Sequence, residues 1–84
     1  MLQVKVLGSG CPNCQRLERE TRAALDEASI PYELSKVTEY GDIASYGVMS
    51  TPALVINEKV VSAGRIPVRA RIVELARANL SEAT

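Results

Sequence analysis

Polarity alternates from Leu2 to Leu7, then the repeat changes. Leu2, Val4 and Val6 are separated by Gln3 and Lys5, the two-residue period of a strand with one buried face. From Pro12 onward the apolar positions fall at Cys14, Leu17, Thr21, Ala24, Leu25 and Ala28, the stripe of an amphipathic helix. Gly8-Ser9-Gly10 lies between them as a tight, permissive loop. A strand feeding a helix across so short a loop opens a mixed helix-and-sheet (α/β) fold. Pro12 suits the first helical position, where a missing N–H costs nothing. The helix is expected to run to about Ser29, because Ile30-Pro31 pushes the backbone out of the α region. Tyr32 to Val37 then reads as a second strand, with Tyr32, Leu34 and Lys36 in one phase. Strand, helix and strand in that order imply a parallel pair with a right-handed crossover.

The rest of the chain continues without a linker or repeat. Thr38 is placed to cap a short helix from Glu39 to about Tyr46, with Glu39 and Asp42 near its positive end and Gly47 to stop it. Val48 to Thr51 is an extended approach to Pro52. Ala53-Leu54-Val55-Ile56 is a continuous apolar run, hence a buried strand. Asn57-Glu58 turns the chain into a hairpin partner, Lys59 to Ala63, although a glycine suits the second turn position better than Glu58. After Gly64-Arg65-Ile66, Pro67 opens a last helix with Val68, Ile72, Leu75, Ala76 and Leu80 on one face, fraying into Ser81-Glu82-Ala83-Thr84. The expected order is β-α-β-α-β-β-α, a four-stranded mixed sheet with three helices.

Size and charge narrow the function. The chain has 84 residues, read as a single domain over 1–84, with 10 Lys+Arg against 10 Asp+Glu. Balanced charge removes the electrostatic reason to expect nucleic acid or an anionic membrane as a partner. No apolar run approaches the ~20 residues of a membrane helix, and Met1 to Val6 has no secretory pattern. The expected location is therefore the cytoplasm, and the expected state a monomer. With two cysteines and no histidine, a four-ligand Cys/His zinc site cannot be built in one chain, and no other cofactor is called for.

Cys11-Pro12-Asn13-Cys14 carries the chemistry. Residues three apart at a helix start lie on one face, a spacing compatible with a disulfide. Cys11 stands at the N-terminus, where free N–H groups and the helix dipole favour an anion, so its thiol should ionise below the ordinary ~8.5. Cys14 lies one turn in, on the apolar stripe, and should be less exposed. That asymmetry suits thiol–disulfide exchange: Cys11 attacks a substrate disulfide, and Cys14 then attacks Cys11 and releases the reduced product. The plainer alternatives are a structural disulfide or two reduced core thiols.

Two further features stand near it in function rather than in sequence. Thr51-Pro52 is by default a proline opening an edge strand, since only about 5–6% of such bonds are cis. A cis bond would turn the Thr51 backbone outward for β-type pairing with an extended peptide. Gly64 reads equally as a turn glycine or as a close backbone approach near the active face. Arg65 is read as a solvated side chain rather than a source of positive potential toward Cys11. The run Arg16, Glu18, Arg19, Glu20 and Arg22 is read as a solvated face with i, i+4 pairs. Tyr32, Tyr40 and Tyr46 are too dispersed for a stacking surface.

Three segments, Gly8 to Cys14, Tyr46 to Ile56 and Val61 to Arg65, together resemble the thioredoxin superfamily over nearly the whole chain. The likeness is to its small, glutaredoxin-sized prokaryotic members with a redox-active disulfide. The resemblance implies a thioredoxin-like fold and a dithiol–disulfide oxidoreductase, with Cys11 as nucleophile and Cys14 as resolving thiol. It implies a cis Pro52 packed against the disulfide, with Thr51 offering backbone to substrate beside Pro12, Asn13 and Gly64. Partners would be protein or small-molecule disulfides and an electron donor, either a reductase or glutathione. The chain departs from thioredoxin in having Gly10 where a tryptophan precedes the first cysteine, and Pro12-Asn13 in place of Gly-Pro. It departs from glutaredoxin in having Asn13 for tyrosine and Ala63-Gly64-Arg65 where a Gly-Gly and Asp element helps hold glutathione.

The main rival is a soft-metal or metalloid carrier using the Cys11 and Cys14 thiolates. Such carriers usually run β-α-β-β-α-β, which conflicts with the order read here, and two ligands leave the shell incomplete. An adaptor without turnover is a third reading, against which the retained cysteine pair argues.

Overall fold

The computed structural model describes residues 2–8, 10, 12–48 and 50–80. Its elements are β1 (Leu2–Leu7), α1 (Pro12–Glu27), β2 (Tyr32–Val37), α2 (Tyr40–Ser45), β3 (Ala53–Ile56), β4 (Lys59–Ala63) and α3 (Arg69–Leu80). This is the expected β-α-β-α-β-β-α order, and the four strands form one mixed sheet ordered β2-β1-β3-β4. β1 pairs parallel with β2, Leu2 opposite Tyr32 through Leu7 opposite Val37. It pairs antiparallel with β3, Val4 opposite Ile56 and Leu7 opposite Ala53. The end of β1 and the start of β3, the two central strands, therefore meet at the same end of the sheet.

Strand alternation divides the interior into two layers. Leu2, Val4 and Val6 of β1 with Leu54 and Ile56 of β3 face α1 and α3, and are closed by Leu17, Ala24, Leu25, Ile72 and Ala76. On the opposite face Leu7, Ala53 and Val55 meet Ile43 of α2, with Val37, Tyr46 and Val48 packed around them. Among the described residues no helix is long and apolar enough to cross a membrane.

Several boundaries differ from expectation, each for a local reason. α1 stops at Glu27 rather than Ser29. Ser29 is left-handed (φ 56°), and the Ile30 N–H reaches back to the Leu25 carbonyl at 3.0 Å, so the chain turns before Pro31 can act. α2 starts at Tyr40, and Glu39, not Thr38, is its N-cap, without a side-chain cap. Gly47 (φ 77°) ends it as expected.

Pro67 is not the first residue of α3. Ile66 packs against the main core and pins the incoming chain. The Val68 carbonyl then accepts from Arg71 N–H (2.9 Å) and Ile72 N–H (3.0 Å), so the helix begins at Arg69. Val68 accordingly leaves the buried face assigned to it and is 71% exposed. Lys36, placed in phase with Tyr32 and Leu34, is exposed.

The hairpin uses two left-handed residues, Asn57 (φ 51°) and Glu58 (φ 67°), the backbone of a type I′ turn. Side chains hold it there. Asn57 Oδ1 accepts from Gln3 N–H at 3.0 Å, and Lys5 Nζ meets Glu58 Oε1 at 2.5 Å. Ser9, Cys11, Met49 and the tail 81–84 lie outside the described residues, as does the side chain of Leu80.

Candidate active site

The first turn of α1 brings the Cys14 side chain down onto the end of β1. Cys14 is 5% exposed and disulfide-bonded, while Pro12 and Asn13 are exposed. Cys11 lies outside the described residues. Beside Cys14 the strand ends in Gly8, and a Cβ at Gly8 would stand 2.2 Å from Cys14 Sγ. No side chain of any kind fits there. The same point is 4.0 Å from Thr51 Cβ, so the Cys14 sulfur and the Thr51 side chain border the same space over Gly8.

Thr51 and Pro52 approach from the other side. Their peptide bond is cis. Pro52 is buried and Thr51 exposed at the start of β3. The Pro52 carbonyl accepts from Gly64 N–H at 2.9 Å, which ties the end of β4 to the same patch. Gly64 is left-handed (φ 75°), and a Cβ on it would meet Ser50 Cβ at 2.9 Å. Both properties favour glycine: the conformation and the close approach. Of the residues singled out in the sequence, Cys14, Thr51, Pro52 and Gly64 are thus drawn into one continuous patch. Pro12 and Asn13 stand on the exposed side of the turn above it. Arg65 is exposed beside Gly64.

Sequence reasoning missed two contributors. Gly8 reads as an ordinary loop residue, yet it is the one whose missing side chain admits the sulfur. Glu18 was assigned to a solvated face, and it does pair with Arg22 (3.2 Å), four residues on. It also reaches Lys36 of β2 at 3.4 Å. Together with Gly8, Cys14, Gln15 and Thr38, these two line a cavity of about 90 Å³ beside the Cys14 sulfur. Partial burial pushes the Glu18 carboxyl upward, but the hydrogen bonds from Arg22 and Lys36 outweigh it and hold it below the ordinary carboxylate value. The signal was available: Glu18 is four residues after Cys14, hence on the same helix face. Gln15 Nε2 donates to the Gly10 carbonyl at 3.2 Å and fastens the loop to the helix. Among the described residues, no group of three or more His, Cys, Asp or Glu is placed to hold a metal ion.

The model of a family described as thioredoxin domain matches residues 2–77. A thioredoxin of Methanothermobacter thermautotrophicus is 33% identical over 66 residues, covering 79% of this chain and 86% of that protein. A thioredoxin of Methanocaldococcus jannaschii is 33% identical over 67 residues, covering 80% and 77%. Among solved structures, glutaredoxin 1 from Francisella tularensis, complexed with cacodylate, aligns over 99% of this chain and 96% of its own, at 18% identity and a TM-score of 0.43. With the family model matching residues 2–77 of the 84 in the chain, this chain belongs to the thioredoxin family, a family of thiol–disulfide oxidoreductases.

Proposed function

We propose that the protein is a dithiol–disulfide oxidoreductase in which Cys11 is the nucleophile and Cys14 the resolving thiol. The observation that supports this best is the patch itself. A nearly buried, disulfide-bonded sulfur lies against Gly8 at the start of a helix, with the exposed residue Thr51 beside it. The Cys11 thiolate attacks one sulfur of a substrate disulfide. A mixed disulfide forms and the other substrate sulfur leaves as a thiolate. Cys14, deprotonated, attacks the Cys11 sulfur. The Cys11–Cys14 disulfide closes, and the substrate departs with two electrons gained. An external reductase or glutathione returns the pair to the dithiol. Thr51 offers its backbone to the substrate chain, Pro52 backs the disulfide, and Pro12, Asn13 and Gly64 border the contact. The chain 1–84 works as one domain, as a monomer in the cytoplasm, with protein or small-molecule disulfides as partners.

An equilibrium redox titration, read by alkylation and mass, tests this directly. A reversible two-electron transition between roughly −180 and −300 mV is expected. A pair that never closes, or one that thiol buffers cannot open, removes the exchange reading. Cys11→Ser should abolish disulfide reduction, whereas Cys14→Ser should accumulate mixed disulfides. Full activity in Cys11→Ser would overturn the assignment.

A further inference from the structure

The segment between β4 and α3 forms an apolar ridge with unequal charge around it. Ile66 is half-buried, Pro67 half-buried and Val68 71% exposed. A hollow lies on each side of the ridge. One, of about 320 Å³, is lined by Arg16, Glu20 and Arg69 together with the ridge. The other, of about 390 Å³, is lined by Arg65, Arg71 and Leu75 together with Pro67 and Val68.

The arginines differ in how their charge is met. Arg69 is bonded to Glu20 (2.6 Å) and Glu27 (3.1 Å), and Arg71 to Glu74. Among the described residues Arg16 and Arg65 have no ion-pair partner, and both are exposed. Arg16 follows Pro12 by four residues and Asn13 by three, so it stands on the exposed helix face they occupy. Arg65 follows Gly64, whose N–H is bonded to the Pro52 carbonyl. Two unmatched cations thus border the ridge where it adjoins the proposed exchange site, in a chain whose overall charge is zero. The local excess of positive charge is a property of this surface and not of the protein as a whole.

We propose that this ridge docks the polypeptide that carries the substrate disulfide, and that it favours clients with an apolar residue flanked by carboxylates beside the reactive cysteine. An extended client segment places alternate residues on one side. A pattern of Glu, any residue, Leu, any residue, Glu therefore lays the leucine on Val68 and directs the two carboxylates toward Arg16 and Arg65. Charge complementarity of this exposed kind acts mainly on encounter and partner choice. The inference rests on the exchange reading above, and names the class of substrate for it.

The test uses three disulfides: two synthetic peptides that each close one intramolecular disulfide, and bis(2-hydroxyethyl) disulfide as a neutral reference. One peptide carries Glu-x-Leu-x-Glu next to a cysteine, the other Lys-x-Leu-x-Lys. Single-turnover oxidation of the reduced protein is followed by alkylation and mass. The acidic peptide is expected to react faster than the basic one by roughly tenfold at low salt, with the ratio shrinking at high salt. Combining Arg16→Glu and Arg65→Glu should reverse the order. Arg77→Glu, at the other end of α3, should leave the ratio in place. Equal rates for the two peptides, or a preference that survives the double reversal, overturn the docking proposal while the neutral disulfide still reacts. Failure of all three disulfides to react removes the exchange reading, and the docking proposal with it.

Discussion

The two faces of the sheet are held by different physics. Toward α1 and α3, a cluster built on Leu17, Leu25, Leu54, Ile56 and Ile72, each 0% exposed, dominates, with the Thr21 side chain of α1 buried beside them. Toward α2, the described residues supply the buried Leu7, Ile43, Ala53 and Val55, and the layer ends in a polar cluster. There Lys5 Nζ meets Glu58 at 2.5 Å and the Tyr46 hydroxyl at 2.8 Å, and that hydroxyl donates to Glu58 at 3.2 Å. A large apolar cluster dominates the first face, with Arg69 clasping Glu20 and Glu27 across its helices, whereas a polar cluster at the rim completes the smaller second face. The proposed exchange patch lies where the two meet, since Leu7 belongs to the small face, Val6 to the large one, and Gly8 follows both. A site at this seam is fastened from two sides while its outer surface stays open.

That contrast can be broken by mutation. Leu17→Ala removes a fully buried side chain from the large face and should cost about 3–5 kcal/mol, leaving little of the fold at ambient temperature. Ile43→Ala on the α2 face should cost about 2 kcal/mol, because its edge can relax. Denaturant unfolding of both variants decides the matter, and equal costs would mean that the two faces are equivalent after all.

At the seam, Gly64→Ala should cost about 1–2 kcal/mol from its left-handed backbone and the contact with Ser50. The penalty should fall when Ser50→Gly is added. An unchanged penalty in the double variant would assign the whole effect to the backbone.

The smallest effect is at the polar rim. The hydrogen bond from Lys5 holds the Glu58 carboxyl below its ordinary 4.5, and the reciprocal bond raises the Lys5 ammonium above its ordinary 10.5. A lowered carboxyl adds stability at pH above its ordinary value and loses it as pH falls through the lowered one. A raised ammonium adds stability below its ordinary value and loses it as pH rises through the raised one. Melting curves of Glu58→Gln and the unaltered protein should therefore differ most between about 4.5 and 10.5 and converge outside that window. A gap independent of pH would point to turn conformation instead of charge.

Much of this architecture is legible in the chain itself. The two-residue repeat of Leu2, Val4 and Val6, the stripe from Cys14 to Leu25 and the apolar run Ala53 to Ile56 each specify an element through its own periodicity. The buried place of Cys14 in the first turns of α1 is read from that same helical stripe. Gly47 marks the end of α2 because a left-handed residue must follow it. Such signals are local, and local sequence carries them.

Other features needed the tertiary structure, because they depend on what a distant segment brings. Pro67 looks like a helix start until Ile66, half-buried against the main core, delays α3 to Arg69 and turns Val68 outward. Asn57 and Glu58 adopt backbone suited to glycine because Gln3 and Lys5, some fifty residues earlier, bond to them. Glu18 faces Lys36 and the Cys14 cavity only once β2 lies beside β1. Periodicity says which face of a segment is apolar. What that face meets is set by chain segments far away, whose contacts no local pattern encodes.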